Sequence, residues 1–164
     1  MKILKNSSLI IRRYKKSDKK DVWNLHVTPL KDAHAYIGSG QWDKDMEDIE
    51  NVYLKNGEFL VGETDGKIVA IGAFKKISSE IAEIKRMRVL PGYQRNGFGQ
   101  AIFDRLQKKA VGLGFKKIRL DTSTRQKAAQ KFYEKNGFKE IRRGLLGGLE
   151  TIYYEKVLKE DKTK

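Results

Sequence analysis

The chain has 164 residues, 39% hydrophobic and 34% charged, with 35 basic against 21 acidic side chains and a formal net charge of +14. That is long enough for one domain with a substantial core, and no apolar stretch approaches the ~20 residues of a membrane span. Without cysteine there is no disulfide or thiolate chemistry, His26 and His34 make a poor metal site, and the N-terminus lacks the apolar core of a signal peptide. A soluble, cytoplasmic chain is the expectation.

Residues 8–14 read as a first strand, Ser8-Leu9-Ile10-Ile11-Arg12-Arg13-Tyr14. Ser17 or Asp18 can cap a helix carrying Val22, Trp23, Leu25 and His26, which ends before Pro29. Residues 28–40 read as irregular, with Gly38-Ser39-Gly40 as a loop. An amphipathic helix is expected over 43–54, with Met46, Ile49, Val52 and Tyr53 inward and Asn56-Gly57 as its stop. Residues 58–63 and 67–75 are strands joined through Asp65-Gly66, a strong hairpin signal. The next strand covers 81–89, and a helix over 98–113 puts Ile102, Leu106, Ala110 and Leu113 on one face. Residues 117–121 are again a strand. Ser123 or Thr124 can cap a helix through Ala128, Ala129, Phe132 and Tyr133, closed by Asn136-Gly137. Strands over 138–142 and 151–158 follow, with 144–148 as a loop between them, and 159–164 is a charged tail. The pattern describes one α+β domain over 1–158, a mixed, mostly antiparallel sheet flanked by helices.

Two local features point to chemistry. In the 81–89 strand, Ala82 and Ile84 occupy even positions and Met87 and Val89 odd ones, which a strand of period two cannot keep on one face. A one-residue β-bulge near Lys85 or Arg86 reconciles them; burial on both faces is the alternative. After it comes Gln94-Arg95-Asn96-Gly97-Phe98-Gly99. A Gly-rich turn between strand and helix gathers backbone N–H groups at a positive helix end, an anion cradle. It is neither a nucleotide P-loop nor the dinucleotide fingerprint, since Ile102 stands where the third glycine belongs. Ten Lys or Arg against one acid between Ile84 and Arg119 suit a polyanionic ligand, or simply a solvated face.

Met87-Arg88-Val89-Leu90-Pro91 leading into the Gly-rich turn is one local match to a known family. Ala128-Ala129-Gln130-Lys131-Phe132-Tyr133-Glu134-Lys135-Asn136-Gly137-Phe138, one helix and one strand later, is the second. With that spacing the chain resembles the GNAT superfamily of acyl-CoA-dependent N-acetyltransferases. The resemblance covers residues 58–158 well, and the first half only in its order of elements. It implies acetyl-CoA as cosubstrate and a primary amine (small molecule, amino acid or peptide) as acceptor. Backbone groups of Met87 and Val89 would pair with the pantetheine arm. Gln94, Arg95, Asn96, Gly97, Phe98 and Gly99 would wrap the pyrophosphate, with charge from Arg95 and Arg88. Gln126 stands where the family often has Asn.

By the same resemblance Tyr133 is the acid at the CoA sulfur, a phenol that keeps its proton at neutral pH; packed as a core ring it would have no such role. A bulge-freed N–H, most naturally that of Met87, would hold the oxyanion. Glu83 is the candidate base, or an ordinary strand carboxylate paired with Lys85. Trp23, Tyr36 and Trp42 would wall an amine site, and the acids among residues 43–50 would attract a cation; the alternative is core tryptophans and a solvated acidic face. No metal site is expected, and a homodimer only by family. Two other readings stay open. One is a non-catalytic acyl-CoA sensor on the same fold. The other is a basic nucleic-acid-binding module, for which charge is the only support.

Overall fold

The computed structural model describes residues 8–32, 34–35 and 41–159. Seven strands form one sheet in the order β1-β2-β3-β4-β5-β7-β6. They are β1 (Ile10–Arg13), β2 (Glu58–Thr64), β3 (Lys67–Lys76), β4 (Ile81–Val89), β5 (Lys117–Ser123), β6 (Lys139–Leu146) and β7 (Leu149–Val157). Only β4 and β5 run parallel; every other neighbouring pair is antiparallel. The helices are α1 (Lys19–Asp32), α2 (Ile49–Tyr53), α3 (Phe98–Gly112) and α4 (Lys127–Lys135), with 3-10 turns at Lys16–Asp18 and Gln41–Glu47.

Alternation along β2 sorts the core into two layers. Leu60 joins a cluster with Ile102, Phe103 and Leu106 of α3, Tyr133 of α4, and Phe138, Ile152 and Tyr154. Its neighbours Phe59 and Val61 join the opposite cluster, with Val22 and Leu25 of α1 and Ile49 and Tyr53 of α2. The turn chemistry matches the sequence where glycine is needed: Asp65 and Gly66 take φ of 52° and 76°, the paired left-handed values of a tight hairpin.

Several boundaries differ from expectation. α4 opens behind Gln126 with no side-chain cap, not at Ser123 or Thr124, because β5 runs on to Ser123. α1 runs through Pro29 to Asp32; a proline inside a helix removes one donor and does not always end it. The helix expected over 43–54 is a 3-10 turn at Gln41–Glu47 and a short α2 at Ile49–Tyr53. Asp48 breaks them, with φ −143° and its carboxylate accepting from the N–H of Asn51. The loop expected over 144–148 shrinks to Gly147-Gly148, both left-handed at φ 57° and 82°, so β6 runs on to Leu146 and β7 begins at Leu149. None of the helices among the described residues is long and apolar enough to cross a membrane.

Candidate active site

The site begins where two parallel strands part. β4 and β5 pair only at Ile81–Lys117, Ala82–Ile118 and Glu83–Arg119. Beyond that, β4 stays on β3 as far as Val89 and β5 on β7 as far as Ser123, so the facing edges of 84–89 and 120–123 lose their strand partner. On its other side β4 carries the bulge read from the sequence. Ile71 pairs with Arg88 and Ala73 with Lys85, which leaves Gly72 opposite both Arg86 and Met87. Arg86 takes φ 61°, a left-handed value uncommon for a residue with a Cβ.

A cleft of about 150 Å³ opens in this gap. Ile84 to Arg88 form one wall, and Asp121, Thr122 and Ser123 of β5 with Gln126, Ala129 and Tyr133 the other. Leu30 and His26 of α1, with Asp43, close one side, and Leu146, Leu149 and Thr151 of the β6–β7 hairpin another.

A buried string of polar groups holds the bulge. Arg86 donates from Nε to Asp45 Oδ2 at 2.8 Å and from Nη2 to Asp45 Oδ1, and Tyr53 donates its hydroxyl to the same carboxylate. Arg86 Nη1 lies 3.7 Å from Asp43 Oδ1, which also receives His26 Nε2 at 2.8 Å. Burial alone would raise the Asp45 carboxyl; the Arg86 guanidinium and Tyr53 hydroxyl outweigh it and hold it below its usual value. His26 is pulled down to about 4, by burial first and then by Arg88 and Arg86, against the pull of Asp43. It is therefore neutral at pH 7, giving its Nε2 proton to Asp43, while its Nδ1 is sealed without a partner among the described residues.

Tyr133 is 6% exposed and packs edge-on against Phe132 and Phe138. Burial pushes its phenol well above the usual tyrosine value, so it holds its proton. Its hydroxyl has no partner among the described residues. Gln126 is the residue before α4, and its amide oxygen accepts from Thr122 Oγ1 at 3.0 Å and Ser123 N at 3.3 Å, leaving its NH₂ to the cleft.

The Gly-rich turn lies outside the cleft lining. Arg95 and Gly97 take φ 65° and 79°, and Gly97 leads into α3 with no capping side chain and no acid in the first turn. The turn is braced from within: Gln94 Nε2 donates to Val89 O at 3.1 Å, and Asn96 Nδ2 to Gln94 O at 2.9 Å. No acceptor among the described residues takes the N–H groups of residues 95–100.

Of the residues singled out by sequence, the cleft gathers Met87, Arg88, Gln126 and Tyr133. Val89 packs on the α3 cluster instead. Glu83 does not line the cleft; its carboxylate lies 3.8 Å from Lys75 Nζ and 3.6 Å from Lys85 Nζ, the ordinary paired strand carboxylate. Trp23 stands behind the site, its ring 5.6 Å from that of His26. Tyr36 and the side chain of Trp42 lie outside the described residues. The acids expected to attract a cation are partly turned inward: Asp43 and Asp45 are tied to His26 and Arg86. Sequence reasoning had Asp43 among the acids of the amine site and His26 in the acceptor region, as a histidine that could serve as base; it missed Arg86 and Asp121 as wall residues. The available signal was an arginine at a predicted bulge, which at a left-handed position has to be held by something.

Comparison with known proteins agrees with this geometry. The model of the acetyltransferase (GNAT) family matches residues 21–138, well over half of the chain. The probable N-acetyltransferase camello of Xenopus tropicalis is 34% identical over 65% of this chain and 50% of its own length. The uncharacterized N-acetyltransferase YjgM of Escherichia coli is 28% identical over 60% of this chain and 62% of its own. The chain thus spans roughly half to three-fifths of these relatives. Among solved structures, a GNAT-family acetyltransferase from Staphylococcus aureus superposes with a TM-score of 0.84 at 26% identity, covering 93% of this chain and 100% of that one. The PaiA N-acetyltransferase of Thermoplasma acidophilum, solved in complex with coenzyme A, has the same fold, with TM-score 0.75, 22% identity and coverage of 92% and 99%. Parted strands, bulge, Gly-rich turn and family match together make this chain a member of the GNAT family of acetyltransferases.

Proposed function

We propose that the protein is an N-acetyltransferase that moves an acetyl group from acetyl-CoA to a primary amine by direct attack. The observation that carries this is the parting of β4 from β5 at the Arg86 bulge, over a cleft lined by Tyr133, whose hydroxyl has no partner among the described residues. A relative of the same fold holding coenzyme A supports the choice of cosubstrate.

In this reading the pantetheine arm lies along the free edge of β4, bonded to the backbone of Met87 and Val89 as an added strand would be. The pyrophosphate lies against residues 94–99, whose N–H groups from Arg95 onward have no acceptor among the described residues, with Arg95 beside it and Gln126 offering its NH₂ further along. The amine enters from the α1 side. Its nitrogen, neutral, bonds to the thioester carbon, and the Met87 N–H takes the charge that builds on the carbonyl oxygen. The C–S bond breaks, Tyr133 gives its proton to the departing sulfur, and the new ammonium loses one to water, from which Tyr133 is reprotonated. An amine that arrives neutral needs no dedicated base, so Glu83, tied to its two lysines, has no direct part.

Calorimetry with acetyl-CoA and a thiol-release assay test this together. Gly97→Val puts a branched side chain at φ 79° and should weaken acetyl-CoA binding in a folded protein. Tyr133→Phe should keep binding and lose about 10²–10⁴-fold in kcat. Full turnover by Tyr133→Phe would remove the acid role. Acetyl-CoA binding with no thiol release on any amine would leave a sensor, and no binding by a folded sample would sink the proposal.

A further inference from the structure

The cleft contains charges of both signs, and most are answered within the protein. Arg86 is answered by Asp45 and Asp43, Asp43 also by His26, and Lys85 by Glu83. Two are not. Arg88 makes one hydrogen bond, from Nη1 to the carbonyl of adjacent Met87 at 2.8 Å. Its Nε is sealed from solvent without a partner, and no carboxylate among the described residues lies at ion-pair distance. Its Nη2 also has no partner among the described residues and is not sealed, and Arg88 is one of the residues that line the cleft. Asp121, on the facing strand, likewise lines the cleft with no donor on its carboxylate among the described residues.

A half-buried guanidinium with idle donors is costly unless something completes it. Burial, with Arg86 nearby, pulls Arg88 down to about 10, so the protein makes its charge harder to keep. A planar fork of N–H groups fits a carboxylate, which accepts two parallel hydrogen bonds. Asp121 offers the complementary half for an ammonium.

We propose that Arg88 and Asp121 select a zwitterionic acceptor, an amine that also bears a free carboxylate, as amino acids do. The carboxylate lies on the Arg88 fork, and the amino end faces Asp121 and Tyr133, where the ammonium gives up a proton to water before its neutral nitrogen attacks. This replaces the cation-attracting site expected from residues 43–50, since a polyamine would bring a second positive charge against Arg88 and Arg86. It also moves Arg88 from the pyrophosphate to the acceptor: Arg88 lines the cleft, whereas residues 94–99 do not. The inference rests on the acetyltransferase reading.

The test is thiol release on matched pairs, each amino acid beside its carboxamide, with a polyamine for contrast, at saturating acetyl-CoA. The wild-type protein should favour the acid by about tenfold or more in kcat/KM, because the amide leaves the guanidinium uncompensated. Arg88→Met should bring the pair to near equality, chiefly through KM, with acetyl-CoA binding unchanged by calorimetry. Amides or polyamines turned over as well as acids would overturn the proposal. So would an Arg88→Met protein that binds acetyl-CoA weakly but keeps the acid preference, which would return Arg88 to the cofactor. If Arg88→Met does not fold, the wild-type acid-to-amide ratio decides alone. Acetyl-CoA binding without turnover of any acid overturns the acceptor class and leaves cofactor binding standing; no acetyl-CoA binding fells the acetyltransferase reading and this with it.

Discussion

The two faces of the sheet are built on different principles. Beneath α3 and α4 the core is almost wholly apolar and aromatic, with Ile102, Phe103 and Leu106 fully buried against Phe74, Phe138 and Ile152. Beneath α1 and α2 the apolar layer runs into a string of charged and polar groups: His26, Asp43, Arg86, Asp45 and Tyr53. The first face is held by area and fit, which tolerate change in proportion to the volume altered. The second is held by paired charges, where removing one member leaves another stranded.

The largest stability loss should come from the apolar face. Leu106→Ala should cost about 2–5 kcal/mol in urea unfolding, and no partner substitution short of refilling the space should restore it. On the wired face, Asp45→Ala removes the main counter-charge of Arg86 and should cost about 3 kcal/mol. Here adding Arg86→Met should recover much of the loss, because the stranded charge goes with it; a strictly additive double variant would erase the distinction between the faces. Gly72→Ala joins the two. Its new methyl would lie 2.5 Å from Met87 Sδ and 2.6 Å from Ile102 Cγ2, costing about 1–3 kcal/mol and pushing on the second residue of the bulge, so turnover should fall as well.

The last effect is one of pH. The folded protein keeps His26 unprotonated down to about 4, whereas the unfolded chain takes the proton near 6.5. The unfolded state therefore binds more protons in that window, and His26's contribution to stability is whole above about 6.5 and fades as pH falls toward 4. Replacing His26 by Gln should flatten the stability profile between those values; an unchanged slope would mean that other groups set it.

The sequence made the apolar face legible for the same reason that the face is simple. Ile102, Leu106 and Ala110 recur at helical spacing, and nothing polar interrupts them. The bulge was legible too, because Ala82 and Ile84 fall out of phase with Met87 and Val89 and only an inserted residue repairs a period of two. The wired face was misread. Residues 43–54 look like a surface helix, with acids among apolar positions, but two of those acids turn inward to charges on α1 and β4, and the segment bends into a 3-10 turn to bring them there. Periodicity shows which side of a helix is greasy and is silent about a carboxylate whose partner lies 41 positions away. Tyr133 and Gln126 were found through motif spacing, whereas Arg88 and Asp121 as a pair emerge only when two strands are laid side by side.

The arginine at the bulge also bears on how such a protein can diversify. Asp43 lines the cleft, and with Asp45 it holds Arg86 in its left-handed conformation. In the acetyltransferase reading, a lineage drifting toward a new acceptor cannot rewrite these positions freely, since each change there also loosens the bulge of β4. The inherited variation open to it lies in the greasy parts of the wall, Leu30, Leu146 and Leu149, where a side chain can grow or shrink without touching a charge.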